Sequence, residues 1–399
     1  MRISTYQLQQ QTVDAMLKQQ TDLAKTSLQI SSGKRIVTPS DDPIAAAGAL
    51  GFRDGIERVE QYQQNIIAAR SRLNAEEGQL QSVIDVVQRV RELGIEAGDG
   101  TNSTRDRVAL AEEVSERLKE LISLANGTDG AGEYLFGGYK SRTQPFAQTA
   151  TGASYSGDQG QRFLQVAENF RVAVDDPGHE VFRDVLNGNG TFATSYNAAN
   201  TGSGLISPGT VTDPSVWVDD THTITFTTAT TYEVRDSALA LVTSGTYVDG
   251  GAISFLGAEV SISGTPANGD GFTVASSQKQ DLFTSVQNLV NALNRGITDD
   301  ESRAEANMDT NAALQAIDQA LENVSNIRAK IGARLNAIES QEFSNTDFLF
   351  TMKEALSNIE DLDYAEAVSR FDRQLLAYQT SQQAYVRMQN LSLFNYIGA

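Results

Sequence analysis

Between Asp42 and about Ala97 the chain holds one helical pattern without a break. Phe52, Ile56, Val59, Tyr62, Ile66, Ala69, Leu73, Leu80, Val83, Val87 and Val90 recur at three- and four-residue steps, and Glu76 alone breaks the stripe. Asp42 is the expected N-cap, and Pro43 suits the first helical position, where its missing N–H costs nothing. A helix of about 55 residues is about 80 Å long. That is too long for an ordinary globular core, so the stripe predicts a coiled-coil rod. The run Gly98 to Thr104 ends it. Val108, Ala111, Val114, Leu118, Leu121 and Ala125 then predict a second helix as far as Asn126 and Gly127.

The C-terminal third mirrors this pattern. Leu282, Val286, Leu289 and Leu293 mark a short helix, and apolar residues from Leu314 to Ile359 hold the same spacing, with Arg328, Glu342 and Asn345 as polar seam positions that fix register. Between roughly Gly127 and Gln278 the period changes to two. Thr223 to Thr227, Tyr232 to Val234, Ile253 to Phe255 and Glu259 to Ile262 alternate polar and apolar residues, with turn pairs such as Asp249-Gly250 and Asn268-Gly269 between them. The stretch Gly188 to Gly209 reads as a loop or tether. The expected fold is α+β and mainly α: a long antiparallel coiled-coil rod made from both chain ends, with a β-rich insertion in the middle. The expected divisions are an N-terminal axial helix (1–40), half of the rod with a β-hairpin region (41–182), a variable β-rich surface domain (183–279), the other half of the rod (280–360) and a C-terminal axial helix (361–399).

Composition narrows the function. Lys plus Arg number 31 against 51 Asp plus Glu, a formal charge of −20, which argues against nucleic acid as a partner. With no Cys and only His179 and His222, which are expected to be exposed, disulfides, Cys-ligated zinc and multi-histidine metal sites are excluded. No grouping of acid, base and nucleophile stands out, so no catalytic, cofactor or metal site is expected and the chain reads as a structural protein rather than an enzyme. No run is long and apolar enough to span a membrane. The glutamines of residues 1–30, such as Gln9, Gln10 and Gln11, interrupt any apolar core of a cleaved signal peptide. Asp361 is the expected N-cap of the last helix.

Both termini carry apolar residues among many glutamines. Ile3, Tyr6, Val13, Leu17 and Leu23 lie near helical spacing at one end. Tyr364, Val368, Phe371, Leu375, Tyr378 and Tyr385, then Leu391, Leu393, Phe394 and Ile397, do so at the other. Such segments bury too little apolar surface alone to offset the entropy of ordering, so they are expected to be disordered in the monomer and to fold against each other and against neighbouring subunits.

At Ile30-Ser31-Ser32-Gly33-Lys34-Arg35-Ile36, then Pro39-Ser40-Asp41-Asp42-Pro43, the sequence resembles the flagellin superfamily. The resemblance continues at Gln88 to Leu93, at Ile327 to Asn336 and at Asp361 to Ala367. Within the superfamily, Glu133 to Gly138, Pro145-Phe146, Tyr155-Ser156-Gly157-Asp158, Pro177-Gly178 and Val181-Phe182 look like the hook-filament junction branch, as does the ending Leu391 to Ile397. The alternative within the superfamily is filament flagellin. The resemblance implies a secreted flagellar component, exported without a cleaved signal through the flagellar type III apparatus. It also implies a ring-like tier of self-associated copies between the first hook-filament junction protein and flagellin, and an export chaperone that holds the C-terminal region. Gln88, Arg89 and Leu93 match the flagellin segment recognised by the vertebrate innate flagellin receptor, which makes them a candidate receptor surface.

Overall fold

The computed structural model describes residues 5–98 and 102–390. Helices α1 (Thr5–Ser32), α2 (Pro43–Ala97) and α3 (Thr104–Ala125) come first. Two small hairpins follow, β1 (Phe146–Thr149) with β2 (Gly152–Tyr155) and β3 (Phe163–Ala167) with β4 (Phe170–Ala173). A π-type turn at His179–Arg183 leads to β5 (Val185–Leu186). Next come β6 (Phe192–Tyr196), β7 (Leu205–Ile206), β8 (Thr210–Val211), β9 (Thr221–Thr228), β10 (Thr231–Arg235), β11 (Leu241–Thr246), β12 (Ala252–Phe255), β13 (Ala258–Ser263), β14 (Gly271–Ser276) and β15 (Lys279–Gln280). Helices α4 (Leu282–Leu293), α5 (Asp300–Glu360) and α6 (Tyr364–Asn390) complete the chain. This is the expected α+β order, helical ends flanking a β-rich middle. The chain divides into two compact units, residues 65–340 and residues 1–64 with 341–399.

In the 65–340 unit the long stripes find each other. Leu73, Leu80, Val83, Val90 and Leu93 of α2 share one core with Val114, Leu118 and Leu121 of α3, Phe283, Val286 and Leu289 of α4, and Ile317 and Ile331 of α5, all fully buried. Each such side chain contributes about 1.5–3 kcal/mol relative to an exposed one. Ser103 and Asp106 form a capping box that starts α3, and Asp281 caps α4 by accepting the Thr284 N–H at 2.8 Å. Arg107, buried on α3, donates to the Ala292 carbonyl at 3.0 Å, where the C-terminus of α4 leaves its last carbonyls without helical partners.

The β-rich middle of this unit has its own core. One antiparallel sheet runs β11-β10-β9-β14-β6; a second runs β12-β13-β7, with β8 also paired to β13. Phe192, Ile224, Phe226, Phe272, Ile253, Val260 and Ile262 point between them, and Ala304 and Met308 of α5 join that core. This explains why α5 begins at Asp300, well before the first residue of its coiled-coil stripe at Leu314. Two expectations are corrected here. The Gly188 to Gly209 stretch is not all tether, because Phe192 to Tyr196 pairs along β14 and buries Phe192. His222 is buried rather than exposed, since the period of β9 aligns it with Ile224 and Phe226, and its ring packs against Trp217 and Phe255. Burial holds its basicity below the ordinary histidine value.

In the other unit α1 packs along α6, and the start of α2 along the end of α5. Asp42 caps α2 as expected, accepting the Ala45 N–H at 3.0 Å. The cap of α6, however, is Asp363 and not Asp361. Asp363 accepts the Glu366 N–H at 3.1 Å, whereas Asp361 takes the Ser357 hydroxyl and lies in a β-bridge with Lys34. Asp363→Ala is therefore expected to cost about 1 kcal/mol, measured by urea unfolding followed at the helical circular-dichroism band; Asp361→Ala lacks that cap penalty.

Candidate assembly interface

Two superfamily-like motifs far apart in sequence meet in the unit formed by 1–64 and 341–399. The Leu362 N–H donates to the Gly33 carbonyl at 3.0 Å and the Arg35 N–H to the Glu360 carbonyl at 2.7 Å. The Arg35 guanidinium adds bonds to the Ile359 carbonyl at 2.8 and 3.2 Å. Gly33 sits at φ +69°, and a Cβ there would stand 2.9 Å from the Tyr364 hydroxyl, so both backbone and neighbour demand glycine. The Glu360 carboxylate takes Lys34 at 3.1 Å and Arg53 at 2.6 Å. Burial pushes its pKa up, but bonds to Arg53 and Lys34 outweigh this and leave it below the ordinary glutamate value. Asp41, paired with Lys25 at 2.8 Å and accepting the Thr38 and Val37 N–H groups, is lowered to about 2. Its contribution is present above the ordinary aspartate value and is lost as pH falls through about 2.

Around this lock the terminal helices keep apolar side chains in solvent. Val13, Leu17, Tyr364 and Val368 are exposed, while Leu23, Phe371, Leu375, Tyr378 and Tyr385 are half-buried. Tyr6 lies on α1 but its side chain is outside the described residues, as are Ile3, Leu391, Leu393, Phe394 and Ile397. Sequence reasoning missed further exposed apolar groups: Leu28 on α1, Leu376 on α6, and Phe343 and Phe350 of α5, which are 67% and 70% exposed. The signal was present, since both phenylalanines fall off the α5 seam yet are large and apolar.

The motifs that resemble the junction branch converge in the 65–340 unit. The Phe182 ring packs on Phe136 at 5.1 Å, Phe146 at 5.4 Å and Phe283 at 5.6 Å. The Gly178 N–H donates to the Phe136 carbonyl at 2.9 Å, and a Cβ on Gly178 would lie 2.8 Å from the Phe146 ring. The Tyr155 hydroxyl donates to the Asp158 carbonyl at 2.7 Å, and burial pushes its pKa up to about 12. The tyrosine therefore stays a neutral donor across the physiological range.

Beside this knot lies a charged network. Arg334 of α5 grips both oxygens of Asp176 at 2.7 and 2.9 Å, Arg162 holds Asp175 at 2.6 Å, and Arg72 of α2 holds Asp129 at 2.6 Å. Glu76, the exception in the α2 stripe, is fully buried here and accepts the Asp176 N–H at 3.1 Å.

The candidate receptor surface is only partly a surface. Gln88 is exposed, and Arg89 is partly exposed and paired with Glu113 of α3 at 3.1 Å and Glu92 at 3.2 Å. Leu93 is fully buried in the helical core, which removes it from any surface of the folded monomer.

Helical chain ends that pair with each other around a β-rich insertion define a flagellin-superfamily protein. The bacterial flagellin N-terminal helical region matches residues 3–141, and the bacterial flagellin C-terminal helical region matches residues 314–397. Flagellar hook-associated protein 3 of Escherichia coli is 28% identical over 394 residues, 99% of each chain. The crystal structure of hook-associated protein 3 from Legionella pneumophila superposes with a TM-score of 0.75 at 34% identity, covering 77% of this chain and 98% of that one. Phase 1 flagellin of Salmonella naestved, by contrast, matches at 33% identity over only 126 residues, 32% of this chain and 25% of its own length. The chain belongs to the flagellar hook-associated protein 3 family.

Proposed function

We propose that this chain builds the junction tier between flagellar hook and filament and adapts one to the other, as a structural subunit without a catalytic role. What carries the reading is the end-to-end match to hook-associated protein 3, set against a flagellin match confined to about a third of the chain. Copies of the chain associate side by side in a ring-like tier, meeting the first hook-filament junction protein on the hook side and flagellin on the filament side. The chain leaves the cell through the flagellar type III apparatus without signal cleavage, with a chaperone holding its C-terminal region until export. The glutamine-rich ends are fully ordered when neighbours complete the apolar seams that α1 and α6 leave exposed, so that assembly and folding are coupled.

The exposed side chains of α1 and α6 support this reading, since a monomer gains nothing by holding Leu17, Val368 and Leu376 in water. Replacing Val368 and Leu376 together by Asp tests it. The variant monomer is expected to keep the helical circular-dichroism spectrum of the wild type, while cells carrying it lose filaments and release flagellin into the medium. Normal filaments and swimming with the double variant would refute the role assigned to this face.

A further inference from the structure

Glu76 sits where a carboxylate has no counter-ion of its own. One of its oxygens accepts the Asp176 N–H at 3.1 Å, and the other is buried without a partner. The two nearest acids, Asp175 and Asp176, are as deeply buried, and their guanidinium partners are already engaged. Arg334 is bound to both oxygens of Asp176, and Arg162 is shared between Asp175 and Glu133. Arg72 is drawn to Asp129 at 2.6 Å and stands 3.6 Å from Asp175. Further out, Glu77 of α2 is taken by Arg328, and Glu180 of the π-type turn by Lys330. Every neighbouring cation thus has another acid bound to it, and Glu76 is the surplus carboxyl.

We propose that Glu76 is held as a neutral acid in the folded protein and acts as a pH-sensitive lock on the segment 161–182, which Asp176 fastens to Arg334 of α5 and to Glu76 itself, with Asp175 beside Arg72 of α2. Protonated, Glu76 removes one negative charge from a pocket that already holds two. Ionised, it faces Asp175 and Asp176 with only the Asp176 N–H and the field of Arg334, itself bound to Asp176, to offset them, and the segment loosens. Desolvation, followed by repulsion from Asp176 and Asp175, pushes its pKa well above the ordinary glutamate value. A carboxyl whose folded-state pKa is raised contributes stability that is lost as pH rises from the unfolded value to the folded one. The lock is therefore tight on the acid side and slack on the alkaline side.

The test compares hydrogen exchange of residues 163–182 in the wild type and in Glu76→Gln, a neutral isostere, as the full-length purified chain at several pH values. Because both proteins share the intrinsic pH dependence of exchange, their ratio isolates Glu76. It is expected to rise by about tenfold per pH unit above the ordinary glutamate value and to level off at the folded value. A ratio that stays constant with pH would overturn the proposal. A second measurement does not depend on the variant folding: the carboxyl carbon of Glu76 in labelled wild-type protein should titrate with a midpoint well above that of the exposed glutamates. A midpoint among theirs overturns the proposal equally.

Discussion

Arg334→Ala is expected to destabilise the 65–340 unit by about 3–5 kcal/mol, the range for removing one partner of a buried ion pair. The guanidinium meets both oxygens of Asp176, at 2.7 and 2.9 Å, and Asp176 is fully buried. Truncation leaves that carboxylate with Gln161 at 2.8 Å as its remaining side-chain partner, beside Asp175 and Glu76. Lys is no substitute, because a point charge cannot hold both oxygens as a planar fork does. Arg91→Ala is the matched control. Arg91 pairs with Asp318 of the same helix α5, but both side chains are more than 40% exposed, so the loss should stay below about 1 kcal/mol. Urea unfolding of the two variants measures the difference. Equal effects would mean that the Asp176 network does not anchor its segment.

The second large effect is expected at the aromatic knot. Phe182→Ala should cost about 3–5 kcal/mol, since it removes a buried ring and leaves a cavity that its neighbours fill only partly. Those neighbours come from three other parts of the chain: Phe136 from the loop after α3, Phe146 from β1 and Phe283 from α4. Losing the central ring should loosen all three at once, so near-ultraviolet circular dichroism should weaken along with the urea midpoint. By comparison Phe163→Ala, at an exposed position on β3, should change stability by no more than about 0.5 kcal/mol.

These residues also show what a sequence can and cannot disclose. The α2 stripe was legible because burial on a helix repeats every three or four residues, and the positions it marked from Ile66 to Val90 are buried, Glu76 included. The reason for Glu76 was not legible, because its partner lies 100 residues away and becomes a neighbour only when α2 meets the segment after β4. Asp361 and Asp363 are equally good caps by type; the backbone bridge of Asp361 to Lys34 decides between them. His222 was misread by residue type, although the alternation of β9 placed it inward. Leu93 follows Val90 by three residues, so the stripe itself put it inside, and a resemblance carried it outside. The hairpins β9–β10–β11 and β12–β13 join neighbours in the chain, but the placing of β14 between β9 and β6, and of β13 beside β7, had no local signal, since those pairings join residues far apart in the chain.

The central claim is about place: this chain occupies one tier at the base of the filament. Gold labelling of intact flagella with an antibody to residues 183–279 tests it most directly. The account predicts a single cluster of label at the hook end of each filament. Label distributed along the whole filament would contradict it, and would make the chain a filament subunit.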